Sequence, residues 1–403
     1  MKAIMYGGGN IGRGFIGSLF SQSGYQVTFV DVAEPVVDAL NREHQYPVRI
    51  VSSKGHQDID ITNVNAVNGK NEAAVAEAIA GADIMATAVG VNILKFIVPN
   101  IVAGLRRRFA TTDAPLNIII CENLMDANKV LEGMIKEQLT AEECALFDER
   151  IGLVEASIGR MVPVQTPEMQ DGNPLRVCVE SYGYLPVDKD AFKGGIPSIK
   201  SMIPFSPFDF YIKRKLYVHN MGHATCAYLG MYTGCEYIYQ SIDDTDTFAI
   251  VENAMLESAQ ALSKKYGVPL NDIVLHIQDL LCRFTNKALG DTCKRVGGDT
   301  TRKLSPQDRM IGTMNSCTQQ GIVPAYLYVG IAGALYQHIK EQGSTPTPEV
   351  AKEVLLTLCQ LQQDDVNIPF ILQILNLYIQ NASVKEIRKT ALLIKEESLK
   401  DIV

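Results

Sequence analysis

Two regimes of hydrophobic patterning divide the chain. Up to about residue 190, short apolar runs alternate with amphipathic stretches, the pattern of βα units building a mainly parallel sheet. The clearest strands are expected at 2–6, 27–30, 84–87 and 117–121, and β-branched residues suggest two more at 151–156 and 176–180. Helical periods fill 11–23, 35–43, 73–80 and 93–107. From about residue 211 the strand alternation fades and long helical periods take over. Thr347 before Pro348 fits an N-cap with proline at the first helical position, and Ser383 with Glu386 fits a capping box. The pattern predicts an α/β fold: a doubly wound sheet over 1–200, then a mostly α-helical domain over 201–403. The Gly-, Pro- and Ser-rich stretch 187–207 is the expected connection.

Composition narrows the classes. A chain of 403 residues, 47% hydrophobic, is long enough for about two domains and needs no covalent staple. Nine scattered cysteines include no CxxC pair, which suits a reducing compartment and points to the cytoplasm. The N-terminus runs directly into glycines rather than into a signal-like apolar segment, and no apolar run is long enough to span a membrane. A formal net charge of -8 disfavours nucleic acid as a partner. An anionic substrate would need a local basic cluster, and Arg295, Arg302, Lys303 and Arg309 form one.

Gly7, Gly9 and Gly12 occupy the glycine places of GxGxxG in Gly7-Gly8-Gly9-Asn10-Ile11-Gly12. Such glycines allow a tight turn and close approach of the backbone to a pyrophosphate, which the helix N-terminus then binds. The motif follows an apolar strand and opens a helix, and Asp31 ends the next strand nineteen residues after Gly12. An acid there accepts bonds from the adenosine ribose and repels a 2'-phosphate, which favours NAD over NADP in a Rossmann-type domain. Another nucleotide, or S-adenosylmethionine, remains open on the motif alone. Ligands of open α/β sheets bind beyond the carboxyl ends of the strands, so Thr87-Ala88-Val89-Gly90 and Cys121-Glu122-Asn123 are expected to line the same crevice. Asn123 would offer an amide donor.

In the helical half, Asn220 and His223 are three apart, and Lys215 lies about two turns from His223. Together they could serve alcohol oxidation: a lysine base of depressed pKa, an asparagine donor to the oxygen, and a histidine orienting the hydroxyl. The plain alternative is a solvated lysine beside a packed histidine. His219 and His223 form an HxxxH pair without the following glutamate or a legible third ligand, so no metal is expected.

These residues resemble the polyol-specific long-chain dehydrogenases of the mannitol dehydrogenase family, and within it the mannitol-1-phosphate 5-dehydrogenase branch. The opening Gly7-Gly8-Gly9-Asn10-Ile11-Gly12-Arg13-Gly14-Phe15-Ile16-Gly17 is similar to that branch. The family's K-x4-N-x2-H signature falls on Lys215, Asn220 and His223. Cys121-Glu122-Asn123 resembles the segment that brings its second catalytic asparagine. Val187-Asp188-Lys189, Phe192-Lys193-Gly194 and Ile196-Pro197 resemble the approach to the catalytic helix, and Arg302-Lys303-Leu304 with Asp308-Arg309 the later basic motif. The resemblance implies a metal-independent hydride transfer with NAD, Lys215 as general base, between mannitol 1-phosphate and fructose 6-phosphate, in a monomer or homodimer. Gly7, Gly9, Asn10, Ile11, Gly12, Asp31, Thr87, Val89 and Glu122 would then serve the cofactor. One departure stands out: where the family has Ser-x-x-Asp-Arg, this chain has Ser157-Ile158-Gly159-Arg160. The alternatives are a dehydrogenase of an unphosphorylated polyol or a sugar acid, of the mannitol 2-dehydrogenase or hexuronate reductase type, and a nucleotide-sensing regulator.

Overall fold

The computed structural model describes residues 1–124, 126–163 and 165–400. The chain divides into two compact units, Met1–Asp209 and Phe210–Val403.

The N-terminal unit is built on β1 (Lys2–Tyr6), β2 (Gln26–Asp31), β3 (Gln45–Ser52), β4 (Gly55–Thr62), β5 (Val64–Asn68), β6 (Ile84–Thr87), β7 (Leu116–Ile120) and β8 (Ile151–Glu155). Six of these form one sheet in the order β5-β2-β1-β6-β7-β8, every pairing parallel. This is the doubly wound order with its switch point between β1 and β6. Alternation sorts side chains to two faces: Ala3 and Met5 enter one core with Phe15, Phe29 and Ile119, while Ile4 and Tyr6 enter the other with Ile97, Ile101 and Ile118. Both faces are covered by helices, which is why these strands read as continuous apolar runs.

Five strands, β3, β4, β5 and two more before residue 206, had no counterpart in the pattern reading. The β3–β4 hairpin inserts before β5, and β3 also pairs in parallel with β9 (Val177–Val179). Its outer face is polar, with Arg49 reaching across to Asp58 at 2.6 Å and 2.8 Å, and Pro47 sits inside β3, so neither strand carries an apolar run. The expected strand at 176–180 shortens to β9. The stretch 187–207 is not a free connection: β10 (Leu185–Asp188) and β11 (Met202–Phe205) pair in parallel and belong to this unit. Each holds a proline, which hid it. The helix expected at 11–23 contains a π-helical turn, Gly12–Ile16, before its α-helical part Gly17–Gln22.

The second unit is helical throughout. At its centre the buried helix Met221–Thr233 packs against Thr245–Tyr266 and Leu327–Glu341. Glu257, buried in Thr245–Tyr266, accepts the N–H groups of Tyr326 and Leu327 at 3.1 and 3.2 Å and so caps Leu327–Glu341, whose first turn carries no other acid. The same carboxylate takes Lys395 at 3.3 Å, which ties down the last helix, Val384–Lys400. Thr347 caps Pro348–Thr357 through Val350 N–H, and Ser383 and Glu386 exchange both bonds of a capping box, as the sequence predicts. No helix among the described residues is long and apolar enough to cross a membrane.

Candidate active site

In the N-terminal unit the glycine loop leaves β1 at the switch point. A Cβ on Gly12 would lie 1.9 Å from the carbonyl oxygen of Gly7, and one on Gly7 would lie 2.4 Å from that of Ala88. Backbone occupies the space at both, so only glycine fits. Gly9 is different: nothing lies within 4 Å of where its Cβ would stand. The loop is therefore packed tightly from below and open above Gly9, Asn10 and Ile11, where the helix begins and its first N–H groups lack intrahelical partners. A diphosphate fits that cradle.

Around it, Asp31 at the end of β2 accepts Gly8 N–H at 2.6 Å and Ala33 N–H at 2.9 Å, which fixes its carboxylate beside the loop. Thr87, ending β6, buries a hydroxyl that has no hydrogen-bond partner. Glu122 spends both oxygens on the next turn, accepting Val89 N–H at 3.0 Å and Gly90 N–H at 2.8 Å. Its visible work is to hold the Val89–Gly90 turn. Asn123, just beyond, is exposed. Arg13 was not anticipated as a site residue. It is buried, and donates to Gly8 O and to Leu175 O at 2.6 Å each, clamping the loop's outer carbonyl to the segment before β9.

In the helical unit, the segment of Lys215 and Asn220 is a π-helical turn, Arg214–Asn220, which passes into the α-helix Met221–Thr233. A π-turn bonds residue i to i+5, so Lys215 and Asn220 become near neighbours on one side, and Asn220 and His223 follow at α-helical spacing. The K-x4-N-x2-H spacing is therefore one π step followed by one α step, rather than the single α-helical stretch read from the sequence. Lys215 and Asn220 are half-buried. The positive charge of Lys215 reaches His219, whose pKa burial and neighbouring cations hold well below the usual histidine range.

His223 stacks on Phe284 with ring centroids 4.7 Å apart and an interplanar angle of 11°. Its Nε2 is buried without a hydrogen-bond partner and faces Asp291 Oδ2 at 3.6 Å. Burial, then the charges of Arg295, Arg283, Arg309 and Lys303, push its pKa down to about 3, so the ring is neutral at ordinary pH. Three of the four basic residues singled out in the sequence thus act on His223 through their charge, joined by the buried Arg283, which the sequence reading passed over.

The basic residues are not bare. Arg295 pairs with Asp291, Arg302 with Asp299 at 2.6 Å and Asp308 at 3.1 Å, and Arg309 with Asp308 at 2.8 Å. Lys303 is buried and donates to the carbonyls of Val296, at 2.7 Å, and Gly298. Burial and the nearby Arg309 and Arg302 bring its pKa down to about 8. A signal for this pairing existed: an aspartate stands four residues before Arg295 and three before Arg302. Among the described residues, no three His, Cys, Asp or Glu side chains converge to hold a metal ion.

Two family models match the chain in register with its two units: the mannitol dehydrogenase Rossmann domain over residues 1–201 and the mannitol dehydrogenase C-terminal domain over residues 208–389. The chain belongs to the mannitol dehydrogenase family. That makes it an oxidoreductase by family. Two solved structures share the fold of this mannitol dehydrogenase family member at 14% identity. One is a D-sorbitol dehydrogenase in substrate-free form, with a TM-score of 0.75 over 98% of this chain and 92% of that one. The other is Pseudomonas fluorescens mannitol 2-dehydrogenase in a ternary complex with NAD and D-mannitol, with a TM-score of 0.70 over 98% and 94%. Where the mannitol dehydrogenase pattern expects an acid before its arginine, this chain has Gly159. Arg160 itself is engaged within the N-terminal unit, donating to Gly14 O at 3.0 Å and Glu180 O at 3.1 Å.

Proposed function

We propose that this protein is an NAD-dependent polyol dehydrogenase, metal-independent, that interconverts mannitol 1-phosphate and fructose 6-phosphate in the cytoplasm as a monomer or homodimer. The observation that carries the reading is the convergence, within the helical unit, of Lys215, His219 and a neutral His223 with Arg283, Arg295, Lys303 and Arg309. Gly7, Gly9, Asn10, Ile11 and Gly12 would hold the diphosphate of NAD, Asp31 its adenosine ribose, and Thr87 and Val89 its inner end, with Glu122 keeping their turn in place. NAD, when bound, supplies the acceptor for hydride.

The chain's own residues handle the proton and the oxygen. Lys215 takes the proton of the substrate hydroxyl, which requires the neutral amine and hence a surrounding that disfavours its charge. Asn220 donates its amide N–H to the oxygen as it gathers negative charge. His223, held neutral, orients the hydroxyl without competing as a cation. Arg295, Arg302, Lys303 and Arg309 would receive the substrate phosphate.

A second reading, an unphosphorylated polyol or sugar acid, has one specific observation behind it. Asp291, Asp299 and Asp308 already neutralise the three arginines of the cluster, so less charge is left for a dianion than the sequence suggests. Turnover of mannitol, mannitol 1-phosphate, sorbitol and a hexuronate panel with NAD and with NADP separates the readings. The first expects kcat/KM highest for mannitol 1-phosphate with NAD; a preference for mannitol or a sugar acid replaces it with the second; no turnover with any pair refutes both.

A further inference from the structure

Asp291 has no part in the sequence motifs, yet the structure treats it as a fixed element. Its backbone is pinned on both sides: Ile238 N–H donates to Asp291 O at 2.9 Å, Thr292 bridges Tyr237 in antiparallel fashion, and Cys293 N–H donates to Glu236 O at 2.8 Å. Thr292 then caps the short helix Cys293–Gly297 that carries Arg295. The aspartate side chain is 12% exposed, and one of its oxygens is taken by Arg295. The other oxygen, Oδ2, faces His223.

His223 is equally constrained. Phe284 fixes the plane of the ring, and its Nε2 is buried, with Asp291 Oδ2 at 3.6 Å and no hydrogen-bond partner. A buried polar nitrogen without a partner is costly, and a contraction of a few tenths of an ångström would satisfy it. Such bonds often stand long before a ligand arrives.

Resting on the reading of His223 as the group that orients the substrate hydroxyl, we propose that Asp291 is its positioning residue. The carboxylate accepts Nε2–H and thereby fixes the tautomer in which Nδ1 carries the lone pair and meets the hydroxyl. Arg295 then acts through Asp291 by holding its carboxylate in place. The ring nitrogen that carries the proton is set by the partner of that nitrogen, and the other is left to the ligand.

The test is the tautomer of His223 in the full-length protein, read from 15N shifts and couplings of histidine-labelled protein at neutral pH. With six histidines in the chain, the His223 signal is assigned by its loss in His223→Gln. The proposal expects the Nε2–H form in the native protein and a shift away from it in Asp291→Ala. Asp291→Asn, whose amide oxygen can still accept, keeps it. In polyol oxidation Asp291→Ala should lower kcat by about 10- to 100-fold with KM for NAD unchanged, and Asp291→Asn should restore most of it. An Nδ1–H tautomer in the native protein overturns the proposal even if the alanine variant cannot be purified. So does an unchanged tautomer in Asp291→Ala. A native protein in the Nε2–H form that oxidises no polyol upholds the pairing and refutes the dehydrogenase reading instead.

Discussion

At the glycine loop of the N-terminal unit the decisive atoms belong to the backbone. Carbonyls of Gly7 and Ala88 exclude any side chain at Gly12 and Gly7, Arg13 clamps Gly8 from below, and the open space above Gly9 is what remains for a ligand. In the helical unit the decisive atoms belong to side chains, and their properties come from burial and from one another: burial and nearby cations keep His223 neutral, aspartates neutralise arginines, and Asp291 faces both. A site made of backbone is specified by a few adjacent residues and fails all at once. A site made of mutual charges is specified by residues far apart in sequence and fails by degrees.

The largest effects should come from breaking each site at its centre. Gly12→Ala drives a Cβ into the Gly7 carbonyl and should abolish NAD binding or the folded N-terminal unit altogether. Gly9→Ala, with open space around it, should leave thermal stability within about 0.5 kcal/mol of the parent, the range of a surface substitution, while weakening NAD. Titration with NAD beside thermal melts separates the two, and equal stability losses would show that the loop is not open above Gly9. On the other side, Lys215→Ala should lower kcat for polyol oxidation about a hundredfold or more, and a small added amine should restore part of it. Lys213→Ala, two positions away, should matter less. Near-normal kcat in Lys215→Ala would remove the lysine from the chemistry.

Intermediate effects sharpen the contrast. Asp31→Ser should raise the ratio of kcat/KM for NADP over NAD by about tenfold or more, because the acid is held beside the loop and would repel a 2'-phosphate. An unchanged ratio would mean that Asp31 serves only its bonds to Gly8 and Ala33. Glu257 tests charge burial away from the site. Burial raises its carboxyl from 4.5 to about 7, against the opposing influence of Lys395 and two N–H donors. A carboxyl that protonates more readily when folded adds stability that is complete below about pH 4.5 and is lost as the pH rises through about 7. Glu257→Gln should therefore flatten the fall in Tm across that window, and an unaltered slope would show that the group does not titrate there. The smallest effect belongs to Arg302→Ala. The side chain is half-exposed and already paired with two aspartates, so its loss should raise KM for mannitol 1-phosphate by only about threefold, with mannitol turnover spared. An unchanged KM would take Arg302 out of the phosphate site and leave it to the salt-bridge network.

The same contrast explains what could be read from the sequence. The glycine spacing, the strand before it and Asp31 after it lie within one βα unit, and local rules sufficed for them and for the Thr347 and Ser383 caps. The β3–β4 hairpin escaped because Pro47 and the exposed Arg49–Asp58 pair interrupt its apolar alternation. In the helical unit the K-x4-N-x2-H residues could be picked out, but their helical geometry could not, since no periodicity signals a π-turn. Arg283, Phe284 and Asp291 meet His223 from 60 or more positions away in the chain, and only packing brings them there.

The π-turn Arg214–Asn220 also decides how the chain answers a change in length. A π-turn is an α-turn with one residue to spare, so losing any one residue between Leu216 and Val218 would let it relax into an ordinary α-helix. Lys215 would then stand four positions before Asn220 and still share its side of the helix. A one-codon deletion would thus break the K-x4-N spacing while leaving the lysine beside the asparagine, and a comparison that counts spacing without helical geometry would discard a site that is still assembled.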